Sequence, residues 1–129
     1  MKKVLPFLFS AFVMAGCAAS AQKNSYKQIS MEDAVALMES EEDYVILDVR
    51  TQQEYESGHI PGAINVPNES IGSAPVEELP DKKQMILVYC RSGNRSRQAA
   101  QKLADQGYQD IREFGGIGSW SGETVAGKE

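Results

Sequence analysis

Polar and apolar positions in this chain fall into alternating blocks with two different periods. Met31, Ala34, Val35 and Met38 recur at i, i+3, i+4 and i+7 behind Ser30-Met31-Glu32-Asp33, a variant capping box. That spacing predicts a helix, which the acidic run Glu39, Glu41, Glu42, Asp43 brings to a solvated end. Tyr44-Val45-Ile46-Leu47-Asp48-Val49 is an almost unbroken apolar run, as in a parallel strand covered on both faces. Thr51-Gln52-Gln53-Glu54 is a second capping box, predicting a short helix that Gly58 stops. Ile60-Pro61-Gly62-Ala63 turns the chain into a short strand, Ile64 to Val66, closed by Pro67. After a polar loop to Lys83, Met85-Ile86-Leu87-Val88-Tyr89 predicts a second buried strand. A helix from about Ser96 to Gln106 follows, with Ala99, Ala100, Leu103 and Ala104 inward and Gly107 at its end. Ile111 to Phe114 predicts a last strand, and Gly115 to Trp120 a tight turn with Trp120 in the core. Strands separated by helices argue for an α/β domain with a parallel sheet.

The N-terminus has a different pattern. Lys2 and Lys3 precede an uncharged apolar run, Val4 to Val13, in the order of a secretory signal peptide. The run is shorter than the roughly 20 apolar residues of a membrane span. It ends in Met14-Ala15-Gly16-Cys17, which resembles the bacterial lipobox with Met where Leu is usual. That likeness implies lipidation of Cys17 after removal of residues 1–16 and a tether over 17–25; a domain is expected over 26–122 and a flexible tail over 123–129. It places the protein on the periplasmic face of a bacterial cell envelope. Ala18, lacking the acid that retains some lipoproteins at an inner membrane, points to an outer membrane where there is one.

Composition narrows the chemistry. The 129 residues are 42% hydrophobic and 24% charged, which fits one globular domain. The net charge of −5 becomes −7 once Lys2 and Lys3 are removed, so a nucleic-acid partner is not expected. Two cysteines and one histidine rule out a Cys₄ or Cys₂His₂ metal site, and neither metal nor cofactor is expected. With Cys17 acylated, Cys90 has no partner for a disulfide within its own chain.

Cys90 ends a buried strand and begins Cys90-Arg91-Ser92-Gly93-Asn94-Arg95, which leads into a helix. In open α/β sheets this is the crevice where ligands bind. A helix N-terminus carries partial positive charge and unpaired N–H groups, and Arg91 and Arg95 add cations. Both favour thiolate over thiol. Gly93 lets successive amides curl toward one point. Cys90 is therefore the candidate nucleophile, with Arg91, Ser92, Gly93, Asn94 and Arg95 as candidate binding residues.

This loop resembles the active-site loop of rhodanese-type sulfurtransferases. Asp48-Val49-Arg50, Glu54-Tyr55 and Gly58-His59-Ile60-Pro61-Gly62-Ala63 resemble that family's upstream signature, and Phe114-Gly115-Gly116 with Trp120 its C-terminal one. The likeness spans roughly residues 26 to 121, with the motifs in the family's order. It implies a rhodanese-like α/β domain with a five-stranded, mostly parallel sheet flanked by helices. It also implies that Cys90 carries sulfane sulfur as a persulfide, Arg91 and Arg95 helping to bind an anionic donor. Asp48, Arg50 and His59 are read as structural support: an acid–base pair at a strand end and a ring that orders a turn.

Three chemistries compete. The first is sulfur transfer from a small anionic donor such as thiosulfate to a thiol or cyanide. The second is a Cys-loop phosphatase or arsenate reductase. Those families place five residues between Cys and Arg, whereas four separate Cys90 from Arg95. The third is a slow or non-catalytic persulfide carrier that docks on an envelope partner.

Overall fold

A computed structural model of the chain describes residues 25–128. The expected signal peptide, Cys17 and the tether as far as Asn24 lie outside the described residues. The described chain runs β1 (Lys27–Gln28), α1 (Met31–Ser40), β2 (Tyr44–Asp48), α2 (Gln52–Ser57), β3 (Ile64–Asn65), β4 (Met85–Cys90), α3 (Asn94–Asp105) and β5 (Asp110–Gly116). Single 3₁₀ turns lie at Asn68–Ser70 and Ile117–Ser119. The strands form one sheet in the order β1-β5-β4-β2-β3, every neighbouring pair parallel. This is the expected five-stranded α/β sheet flanked by helices.

Side chains of successive strand residues point to opposite faces, and the apolar runs therefore fill two cores. Leu47, Ile86, Val88, Cys90 and Ile111 pack with Ala99, Ala100, Leu103 and Ala104 of α3 on one face. Ile46, Leu87, Tyr89 and Phe114 pack with Ala34 of α1 and Tyr55 of α2 on the other. The helix starts follow the caps. Ser30 Oγ accepts from the Asp33 amide at 3.0 Å. At α2, Thr51 Oγ1 accepts from the Glu54 amide and the Glu54 carboxylate from the Thr51 amide, completing the box.

Three boundaries differ from the sequence expectation. β1 is a two-residue strand with both residues exposed, too short to produce a hydrophobic period. α3 begins at Asn94 and not near Ser96, because Gly93 turns the chain directly into the helix. The segment after Gly122, expected as a flexible tail, is pinned by backbone bonds. Val125 pairs with His59 as an antiparallel bridge, and the Gly127 amide donates to the Glu56 carbonyl at 2.8 Å. Trp120, expected in the core, is only partly buried at its edge, its Nε1 donating to the Glu123 carbonyl.

Candidate active site

Cys90 is the last residue of β4 and is 1% exposed. Gly93, at φ 109°, bends the chain back over it and serves as the N-cap residue of α3 without a side-chain hydrogen bond. Such a backbone conformation favours glycine. α3 thus starts without a side-chain cap, and the amide of its N-cap residue turns toward the Cys90 sulfur. The Gly93 amide donates to Sγ at 2.9 Å. Burial by itself would raise the thiol's pKa. The donors of Ser96, Gly93 and Ser92 at the loop outweigh that cost, and the pKa falls below its ordinary value.

A second glycine sets how closely the loop seats on the sheet. A Cβ on Gly116 of β5 would lie 2.0 Å from the Arg91 carbonyl oxygen and 2.7 Å from Ser92 Cα. Only a residue without a side chain lets the loop backbone cross β5 there.

The loop arginines take different positions. Arg95 is half-buried, and its guanidinium forks onto the Glu54 carboxylate of α2 at 2.7 and 3.1 Å. This hydrogen-bonded fork holds Glu54 down to a pKa of about 2, against the cost of its partial burial. Arg95 remains close enough to Cys90 to interact electrostatically, so it lends positive potential while its donors are occupied. Arg91, Ser92 and Asn94 are exposed, and Asn94 Oδ1 accepts from Arg97 Nη2 at 2.7 Å.

Asp48, Arg50 and His59 lie behind the loop as scaffold. The Asp48 carboxylate, fully buried, accepts from Arg50 Nη2 at 2.7 Å and from Tyr89 Oη at 2.7 Å. Arg50 also donates to the Gly58 carbonyl, and Tyr89 Oη accepts from the Ile60 amide. Burial, followed by the neighbouring Asp48 charge, pushes the Tyr89 pKa far up, so its hydroxyl stays protonated as a donor. This network joins β2, the end of α2 and the residue preceding Cys90. The His59 ring stacks on Tyr55 with centroids 3.7 Å apart, and its Nδ1 lies 2.8 Å from the Tyr55 carbonyl.

Three residues of the site were not singled out as such from the sequence. Glu54 reads there as a helix cap within the upstream signature and not as a partner of Arg95, since nothing in a sequence pairs positions 41 apart. Ser96 falls in the first turn of α3, where Ser is common for many reasons. Glu113, whose carboxylate accepts from the Ser96 hydroxyl, follows Arg112 in the strand read as Ile111 to Phe114, where a second charge reads as solvent-facing.

An open parallel sheet with a buried cysteine at a strand's C-terminal end, its sulfur accepting from a loop amide at the start of a helix, defines the class of α/β domain. Residues 30–123 match the rhodanese-like domain, and the chain belongs to that family. It is 38% identical over 96 residues to the thiosulfate sulfurtransferase GlpE of Coxiella burnetii, covering 74% of this chain and 87% of that one. It is 35% identical over 71 residues to the thiosulfate sulfurtransferase PspE of Escherichia coli, covering 55% of this chain and 68% of that one. The adenylyltransferase and sulfurtransferase UBA4 of Candida albicans is 35% identical over 101 residues, but the chain spans only 23% of its length. The solved structure of a rhodanese with anions from E. coli aligns with a TM-score of 0.60 at 32% identity, over 65% of this chain and 99% of that one. The domain is thus of the sulfurtransferase class, which takes sulfur from a donor and passes it to an acceptor.

Proposed function

We propose that the protein moves sulfane sulfur from a small anionic donor such as thiosulfate to a thiophilic acceptor, as an enzyme anchored in the bacterial envelope. The Cys90 thiolate attacks the outer sulfur of thiosulfate. The donor's S–S bond breaks, sulfite leaves with the electron pair, and Cys90 holds a persulfide. Cyanide or a thiolate then attacks the outer sulfur, and the Cys90 thiolate is released. The observation that carries this reading is the buried Cys90 sulfur at the start of α3, which accepts from the Gly93 amide at 2.9 Å and has its pKa lowered by the donors of Ser96, Gly93 and Ser92. The same donors stabilise the thiolate as nucleophile and as leaving group.

The geometry weighs against phosphate chemistry. Only four residues lie between Cys90 and Arg95, and the Arg95 fork is committed to Glu54. A phosphate would have to displace a bidentate carboxylate to be gripped. Thiosulfate with cyanide should therefore turn over in a Cys90-dependent reaction, while aryl phosphates should not. Cys90-dependent phosphate hydrolysis without sulfur transfer would reverse the assignment. A carrier that loads sulfur yet passes it only to one envelope partner would show loading without cyanide turnover.

The envelope location rests on the lipobox-like segment Met14 to Cys17. Cys17→Ser should move the protein out of the membrane fraction with the domain still folded. A wild-type N-terminus that is unacylated and begins beyond Cys17 would contradict the anchor.

A further inference from the structure

A donor that arrives as an anion needs a cation with free N–H groups beside the nucleophile. Arg95 does not offer them, because its guanidinium is forked onto the Glu54 carboxylate at 2.7 and 3.1 Å. Its charge is neutralised locally and its fork is taken. A third arginine stands beside the loop: Arg97, the fourth residue of α3. Side chains on a helix lean toward its N-terminus, so a residue in that position reaches back over the cap. A Cβ on Gly93 would lie 2.9 Å from Arg97 Nη1 and 3.8 Å from its Cζ, so the guanidinium rests against the glycine itself. The Gly93 amide in turn donates to Cys90 Sγ at 2.9 Å. One residue thus holds the sulfur on its amide and meets the guanidinium at its Cα.

The partner of Arg97 is uncharged. Asn94 Oδ1 accepts from its Nη2 at 2.7 Å, and Arg97 forms no ion pair with any described residue. A carboxamide fixes the guanidinium in place without cancelling its charge. A guanidinium has five N–H donors, and Asn94 takes one of them. Arg97 and Asn94 are both exposed, so the remaining donors face ligands that come from solvent.

We infer that Arg97, held over Gly93 by Asn94, is a donor-binding residue that takes the anionic oxygens of a small thiosulfate-like donor while the donor's outer sulfur faces Cys90. Glu54 withholds Arg95 from that task, and Asn94 acts as a positioning residue that does not itself touch the donor. A neutral sulfur donor would gain nothing from Arg97.

This inference rests on the sulfur-transfer reading and names how that site recognises its substrate, but its test does not require sulfur transfer. Iodoacetate and iodoacetamide both alkylate a thiolate with loss of iodide, one as an anion and the other as a neutral molecule. On the mature chain, the ratio of the iodoacetate to the iodoacetamide rate at Cys90 should fall about tenfold in Arg97→Ala, the iodoacetamide rate changing far less. Lys83→Ala removes one positive charge from an exposed site just before β4, at the end of that strand away from Cys90. It should change the ratio by less than about twofold. With thiosulfate, KM should rise about tenfold in Arg97→Ala and kcat should change far less. Asn94→Ala should raise KM by a smaller factor and add little once Arg97 is already Ala.

An unchanged reagent ratio in Arg97→Ala overturns the inference. Equal slowing of both reagents also overturns it, since the effect would then lie on the thiol and not on the anion. An equal fall in Lys83→Ala would reduce Arg97 to part of a general field, with the same consequence. Fully additive effects of Asn94→Ala and Arg97→Ala would overturn the positioning role of Asn94. If the ratio falls as expected while thiosulfate leaves no sulfur on Cys90, the anion-binding role stands and the sulfur-transfer reading alone fails.

Discussion

At the start of α3 the amide of the N-cap residue Gly93 donates to a sulfur atom. This arrangement activates Cys90 through backbone geometry, which depends on Gly93 for direction and on Gly116 for clearance. Cys90 and the loop glycine are legible in the sequence, since a buried strand ending in Cys and leading through Gly into a helix has few geometries. The role of Gly116 is not legible, because it arises from a backbone crossing between β5 and a loop far from it in sequence. Gly116→Ala should displace the loop at a cost of about 1–3 kcal/mol in stability. It should also shift Cys90 alkylation toward the profile of a free thiol. Gly118→Ala is the control: its Cβ would lie 3.8 Å from the Arg91 oxygen, an ordinary contact, and both stability and alkylation should be preserved. Equal effects from both substitutions would show that clearance at Gly116 does not set the loop.

At the scale of elements, the Glu54–Arg95 pair joins α2 to α3 across the mouth of the loop. Glu54 also caps its own helix, so one carboxylate fixes two elements. Its pKa is lowered from 4.5 to about 2 in the folded chain. A depressed carboxylate contributes stability that is fully present above its unfolded value and is lost as pH falls through the folded one. Glu54→Gln should therefore cost about 1 kcal/mol or less at pH 7, given the pair's partial exposure. The difference from wild type should close as pH falls from 4.5 toward 2. Urea unfolding at the two ends of that range measures it, and a gap that persists at the acid end would separate the stability from this ionisation. The sequence shows Glu54 as the last residue of a capping box and Arg95 as a free cation for an anionic donor. Their pairing depends on how α2 and α3 pack, which local periodicity does not encode.

Over the whole molecule, the apolar runs at 44–49 and 85–89 fix the two central strands, and the Ala-rich face of α3 fixes the cover on one side. Parallel strands then place their C-terminal ends, and Cys90 with them, along one edge of the sheet. The strap from Glu123 to Lys128 is tied to His59 and Glu56 by backbone bonds, which no side-chain pattern announces. β1 was hidden for the same reason, as its two exposed residues join the sheet by backbone pairing to β5. The function proposed for this molecule depends on whether Cys90 can hold a sulfur atom. Mass spectrometry of the mature chain after incubation with thiosulfate reads that directly. The expected result is the gain of one sulfur atom on the peptide containing Cys90, lost on adding cyanide and absent in Cys90→Ser. A folded wild-type chain that gains no sulfur on Cys90 under those conditions would contradict the persulfide mechanism.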